Sequence, residues 1–199
     1  MKKILFLPAA ILLLNLVSSC SSCKQEPGDD DDTIKVGDSI KIEEAPDSTL
    51  WGHLGESTGM SVIEFVTEKG DTIYVRRGSD DMEAAGMMGT IRNYTDRFAI
   101  TVSADEEEPY LTSCVNTSEL MGVWKNRTYK LSLYADGTAD NEQAHYTAWR
   151  VINGRLVLTG STSTEYGETA RIDTMTITYL DEDSLKLITP LHEEINLGK

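Results

Sequence analysis

Long hydrophobic runs are almost absent from these 199 residues. The one exception, residues 4–17, follows Lys2 and Lys3. As a helix it would reach only about 21 Å, too short for a hydrocarbon core of about 30 Å. It therefore reads as a secretory signal that is removed, with small residues Ser18 and Ser19 at its end. Cysteine is scarce: Cys20, Cys23 and Cys114 make up the whole complement, which excludes a disulfide framework. Cys114 reads as a small apolar residue. Histidine is equally scarce, and His53, His145 and His192 show no metal-ligand spacing. Nucleophile elbow, phosphate loop and zinc-protease motifs are missing, so the expectation is a non-enzyme without cofactor or metal. Basic residues are few, 18 against 33 acidic, for a net charge of −15. Loss of residues 1–19 removes two lysines, leaving 16 basic against 33 acidic residues and a net charge of −17. Such a chain is repelled by phosphate backbones, which excludes nucleic acid as a partner.

No stretch carries a sustained helical period. Short alternating segments bounded by Gly, Asp and Asn recur instead, the pattern of half-buried strands. Residues 34–42 read as two short strands about Gly37-Asp38. Further strands are expected at 60–67, 71–76, 88–92 and 97–103, with a hairpin turn over 68–71. The acidic stretch 104–109 reads as a break, and the domain boundary is expected between it and Asn116. Asn116-Thr117-Ser118-Glu119 then resembles a capping-box start to a short helical turn. Strands are expected at 128–134, 144–152, 155–159 and 172–179, with Met175, Ile177 and Tyr179 on one face. A last strand is expected at 184–189. Asp136-Gly137 and Asn153-Gly154 are the strongest turn signals. The expectation is an all-β protein of two small antiparallel β-barrel-like domains, over 33–113 and 117–199. The alternative is one larger composite barrel.

Val17-Ser18-Ser19-Cys20 resembles the lipobox of bacterial lipoproteins, in which cleavage precedes a cysteine that is then lipidated. The resemblance implies residues 1–19 as signal peptide and Cys20 as the acylated residue. Several acyl chains such as palmitate on one cysteine hold a protein firmly, since each buried methylene contributes about 0.8 kcal/mol. Residues 20–32 read as an acidic, flexible tether, because Pro27, Gly28 and the run 29–32 bury too little apolar area to offset chain entropy. That run also resembles the export signal of surface lipoproteins in some gut-dwelling Gram-negative anaerobes. It implies an outer-membrane protein facing the cell exterior. Thr33, Ser39, Ser48, Thr72, Thr174 and Ser184 each follow Asp and resemble O-glycosylation acceptors of the same anaerobes.

Gly122-Val123-Trp124 follows the short helical turn, and Leu131-Ser132-Leu133-Tyr134-Ala135-Asp136-Gly137-Thr138 comes next. With Tyr146, Trp149 and residues 153–158, these features resemble the lipocalin-like (calycin-type) domains of bacterial surface lipoproteins. The resemblance implies a barrel whose Trp124 packs across the closed end, Gly122 and Trp124 being the structural motif. In that family an Arg from the last strand commonly meets the Trp, whereas 184–189 offers only Lys186. Strands this short close a small barrel filled by its own side chains.

The loop at 82–89 is unusually rich in methionine, an adaptable apolar side chain. Met82, Met87 and Met88 are candidate contacts for a ligand or partner, as are Tyr146 and Trp149. Tyr166 could join the last two as an aromatic platform. The expected function is a lipid-anchored, non-catalytic binding module for a surface protein, glycan or small apolar ligand. The alternative is a lipocalin-type carrier with the ligand in a barrel cavity.

Overall fold

The computed structural model describes residues 46–78, 86–91, 93, 95–103, 109–141, 144–164 and 167–199. The signal, Cys20, the acidic run, the strands expected at 34–42, Met82 and Tyr166 lie outside the described residues. The fold is all-β: a six-stranded mixed sheet followed by a closed eight-stranded antiparallel barrel. The strands of the first half stay in their own sheet, so the composite barrel does not form.

The sheet runs β1 (Thr49–Leu54), β2 (Val62–Thr67), β3 (Thr72–Arg76), β4 (Met87–Met88), β5 (Phe98–Val102) and β6 (Leu111–Asn116). Its spatial order is β3-β2-β1-β5-β6-β4, antiparallel throughout except where β4 lies parallel to β6. Alternation decides what each face buries. Phe98, Ile100 and Cys114 join Leu54, Ile63, Phe65, Val75 and Leu111 in one core. Ala99 and Val115 point the other way and are buried in the core of the barrel. The sheet curls, because Arg76 N–H donates to Pro109 O (3.1 Å) and ties β3 back to the entrance of β6. At Gly52, where β2 and β5 flank β1, a Cβ would stand 2.0 Å from Val66 O, so only glycine fits.

A single helical turn, α1 (Thr117–Leu120), joins the two parts. Asn116 caps it, its Oδ1 accepting from Glu119 N–H at 3.0 Å. Glu119 does not close the box. Its carboxylate accepts instead from Thr90 N–H at 2.5 Å, fixing the end of the methionine loop against the helix. Residues 111–116, where the boundary between the halves was expected, are β6, and Cys114 lies buried there with burial pushing its thiol up to about 12.

The barrel comprises β7 (Gly122–Lys125), β8 (Lys130–Leu133), β9 (Ala139–Asn141), β10 (His145–Ile152), β11 (Arg155–Thr164), β12 (Gly167–Leu180), β13 (Ser184–Ile188) and β14 (Glu194–Gly198). It closes where Gly198 pairs with Lys125, which makes β14, rather than 184–189, the final strand. Leu131, Leu133, Val151, Leu156, Leu158, Leu185 and Leu187 fill the interior, each 2% exposed or less. Two bulges alter the expected alternation. Between Ile177 and Tyr179 the register slips, so Tyr179 turns to solvent and Leu180 is buried in its place. Between Tyr146 and Ala148 a second slip brings Tyr146 and Trp149, three residues apart, both into the interior.

Candidate ligand-binding site at the barrel mouth

Antiparallel closure gives the barrel two different ends. At one end lie α1, the 134–138 turn, the Asn153-Gly154 turn and the last residues of β14. The other end gathers the β7–β8, β9–β10, β11–β12 and β13–β14 connections. There the strands differ in length. The β11–β12 ribbon pairs out to Thr164 and Gly167, while β13 begins to pair with β12 only at Thr176. Residues 167–175 of β12 thus run past the end of β13, and a cleft of ≈ 700 Å³ opens between them and the 189–195 segment.

The interior parity of β12 continues outward from Ile177 and Met175 to Asp173 and Arg171. It places an acid and a base on the floor of this cleft. Tyr146, fully buried, donates its hydroxyl to Asp173 Oδ2 and accepts from Asn141 Nδ2 at 3.0 Å. Arg171 Nε donates to the same Asp173 oxygen at 2.8 Å, and its guanidinium lies 5.7 Å from the centre of the Tyr146 ring. Burial, then the hydrogen bond and charge of Asp173, hold the Tyr146 hydroxyl well above the ordinary phenol range. Burial likewise raises Tyr129, which also lines the cleft. Met175, Pro190, Leu191 and Ile195 supply apolar wall, and Leu191 is 80% exposed. The arrangement can hold an apolar body against the wall and hydrogen-bond a polar group at the floor. Among the described residues, no cluster of His, Cys, Asp or Glu is disposed to hold a metal.

Of the residues singled out from sequence, Tyr146 lies buried beneath this cleft, hydrogen-bonded to its lining residues Asn141 and Asp173. Trp149 lies on the same strand toward the closed end, its Nε1–H donating to Tyr134 O at 2.8 Å. Met87 and Met88 do not reach the mouth. As β4 they pack one against each core, Met87 on the sheet and Met88 on the barrel. Trp124 spans the closed end, fully buried, with Nε1–H donating to Leu120 O at 2.7 Å. Gly122 precedes it at φ +136, a conformation L side chains rarely adopt. The cation over Trp124 is Lys199, whereas Lys186 lies over Tyr179. Sequence reasoning missed Asn141, Arg171 and Asp173. The signal was present in the parity of β12, since Met175 and Ile177 share a face with Asp173 and Arg171.

Residues 116–198 match the family model described as Lipocalin-like. Among solved structures, a lipocalin-like protein from Bacteroides thetaiotaomicron is similar, at 24% identity and a TM-score of 0.35. That similarity covers 40% of this chain and 95% of the other. No curated protein matches the chain. The stretch that matches the lipocalin-like model, residues 116–198, is the one that builds α1 and the closed eight-stranded antiparallel barrel, an all-β architecture consistent with a lipocalin-like fold.

Proposed function

We propose that this is a lipid-anchored envelope protein whose barrel binds a small amphipathic ligand at its mouth without transforming it. The carrying observation is the hydrogen-bonded chain Asn141–Tyr146–Asp173–Arg171, in which Asn141, Asp173 and Arg171 line the ≈ 700 Å³ cleft beside an apolar wall and Tyr146 lies buried beneath them. Buried polar groups of this kind fix the orientation of a ligand whose affinity comes from apolar contact. The barrel interior below is occupied by leucines and aromatics, so the ligand sits in the mouth and not deep in the barrel. A lipocalin-like domain is generally a non-enzymatic binding fold, which supports the same reading.

The anchor is Cys20, supported by the lipobox-like 17–20 and the basic and apolar residues before it. The acidic run 29–32 supports display on the outer face of the outer membrane. Native mass spectrometry of protein purified from its own envelope tests the ligand. A co-purifying mass of lipid or small-metabolite size, absent from an Arg171→Gln, Asp173→Asn variant, is expected. A bare mass in both proteins, together with no ligand-induced thermal shift, overturns the mouth as a site. Radiolabelled palmitate should enter the wild type and not Cys20→Ala.

A further inference from the structure

A second recess lies at the other end of the barrel, where the six-stranded sheet docks. It is a cleft of ≈ 490 Å³ lined on the sheet side by Trp51, Glu68 and Arg97. On the barrel side it is lined by Met121, the 135–137 turn, Trp149 and Arg150. None of these residues belongs to the mouth. Trp51 comes from β1, and it packs partly buried against the barrel core that contains Trp149. Two tryptophans and a methionine thus line the cleft together with two arginines.

The polar groups of the cleft are unequally satisfied. Trp124 and Trp149 both donate their indole N–H to a carbonyl, at 2.7 and 2.8 Å. The Trp51 N–H has no acceptor among the described residues. Arg97 is paired with Glu68, which neutralises it. Arg150 has no ion-pair partner among the described residues. The acid among the lining residues, Glu68, is engaged by Arg97 and not by Arg150. An indole N–H and a guanidinium, each without a protein partner among the described residues, thus belong to side chains that line one cleft. Guanidinium binds carboxylate with two parallel hydrogen bonds, and aromatic faces stack flat rings.

We infer that this cleft is a binding site for a small ring compound bearing a carboxylate. The ring lies on Trp51 and Trp149, and the carboxylate is held by Arg150 with Trp51 N–H as a further donor. An acidic sugar and an aromatic acid share this chemistry. The site is independent of the mouth and leaves that reading untouched.

Isothermal titration of the full chain with glucuronate and with indole-3-carboxylate, each beside its neutral analogue, tests the assignment. At least one acid should bind and its neutral counterpart should bind markedly more weakly. Arg150→Gln should weaken binding about tenfold or more, the worth of a charge-assisted hydrogen bond. Trp51→Phe, which keeps a ring and removes the donor, should weaken it about threefold to tenfold. Both variants replace side chains outside the fully buried core, and equal melting temperatures will confirm intact folding. Arg171→Gln, at the mouth, should leave the affinity unchanged. Glucuronate alone binding identifies an acidic sugar, and indole-3-carboxylate alone an aromatic acid. No heat from either acid at millimolar concentration overturns the proposal. So does an affinity that Arg150→Gln leaves intact. Binding abolished by Arg171→Gln alone would overturn it too, while supporting the mouth.

Discussion

Lys199 holds its ammonium 4.6 Å from the centre of the Trp124 ring, and the same Nζ donates to Glu119 O at 3.2 Å. One side chain thus joins the end of β14, the carbonyl end of α1 and the first barrel strand. The Trp ring beneath is fully buried. Because Lys199 is exposed, the cation–π contact is worth about 0.5–1 kcal/mol. Lys199→Ala should lower stability by roughly that amount, read as a shift in urea midpoint with unchanged slope. Trp124→Ala removes the ring itself and should cost about 3–5 kcal/mol. A Lys199→Ala loss as large as the Trp124→Ala loss would mean that the ammonium, rather than the packing, closes the barrel end.

Tyr146 and Trp149 share the barrel interior only because β10 carries an extra residue against β11. Tyr146 pairs with Gly160 and Ala148 with Thr159, so Thr147 is squeezed out. Gly160 makes room for this: a Cβ there would come within 2.7 Å of His145 O and 3.1 Å of Tyr146 Cα. Gly160→Val should therefore destabilise the barrel by about 1–3 kcal/mol through overpacking. It should also disturb ligand binding at the mouth, since Tyr146 carries the hydrogen bonds of the floor. Unchanged stability in this variant would show that the bulge does not depend on the close approach.

The Asn153-Gly154 turn does more than reverse the chain. Asn153 Oδ1 accepts from Ser48 N–H (3.2 Å) and Ser48 Oγ (3.0 Å), and its own N–H donates to Thr49 Oγ1 at 2.8 Å. It thus fastens the entrance of β1 to the barrel. Its φ is +48, a left-handed conformation that asparagine tolerates and alanine resists. Asn153→Gly keeps the turn and loses the side-chain bonds, for about 1 kcal/mol. Asn153→Ala adds the backbone strain and should cost roughly 1 kcal/mol more. Chemical denaturation of the pair separates the two effects, and equal losses would exclude the strain.

What was legible in the sequence was local. Both Asn153-Gly154 residues have positive φ, which those residue types announce without any partner strand. The Leu131-Ser132-Leu133 and Leu156-Val157-Leu158 alternations likewise placed strands correctly, because each has a buried face of its own. What escaped depended on partners distant in sequence. β1 carries Gly52 and His53 where a strand signal would want apolar residues, and it exists because β2 and β5 flank it. β14 closes on β7 some seventy residues away in sequence. The bulges at 146–148 and 177–179 shift side-chain parity, which no alternation rule foresees. Arg171 and Asp173 give no sign of the site by residue type, because charged residues on a strand ordinarily face solvent. Here the ribbon outruns β13, and the interior face becomes the mouth.

Tyr146 and Asp173 make the site itself sensitive to alkali. Burial, together with the charge and hydrogen bond of Asp173, favours the protonated phenol in the folded protein. In the unfolded chain the tyrosine ionises near its ordinary value of about 10. A folded pKa raised above the unfolded one gives stability that is fully present below about pH 10. That stability is lost as pH rises through the folded value. Tyr129, raised chiefly by burial, acts in the same direction. Unfolding midpoints should therefore hold steady up to about pH 10 and decline beyond it. Absorbance at 295 nm should show Tyr146 and Tyr129 ionising above the ordinary phenol value of about 10. Asp173→Asn removes the negative charge and should bring the Tyr146 transition earlier and flatten the alkaline decline. A titration in which Asp173→Asn leaves the late tyrosine transition in place would sever the link between this pair and the alkaline stability of the barrel.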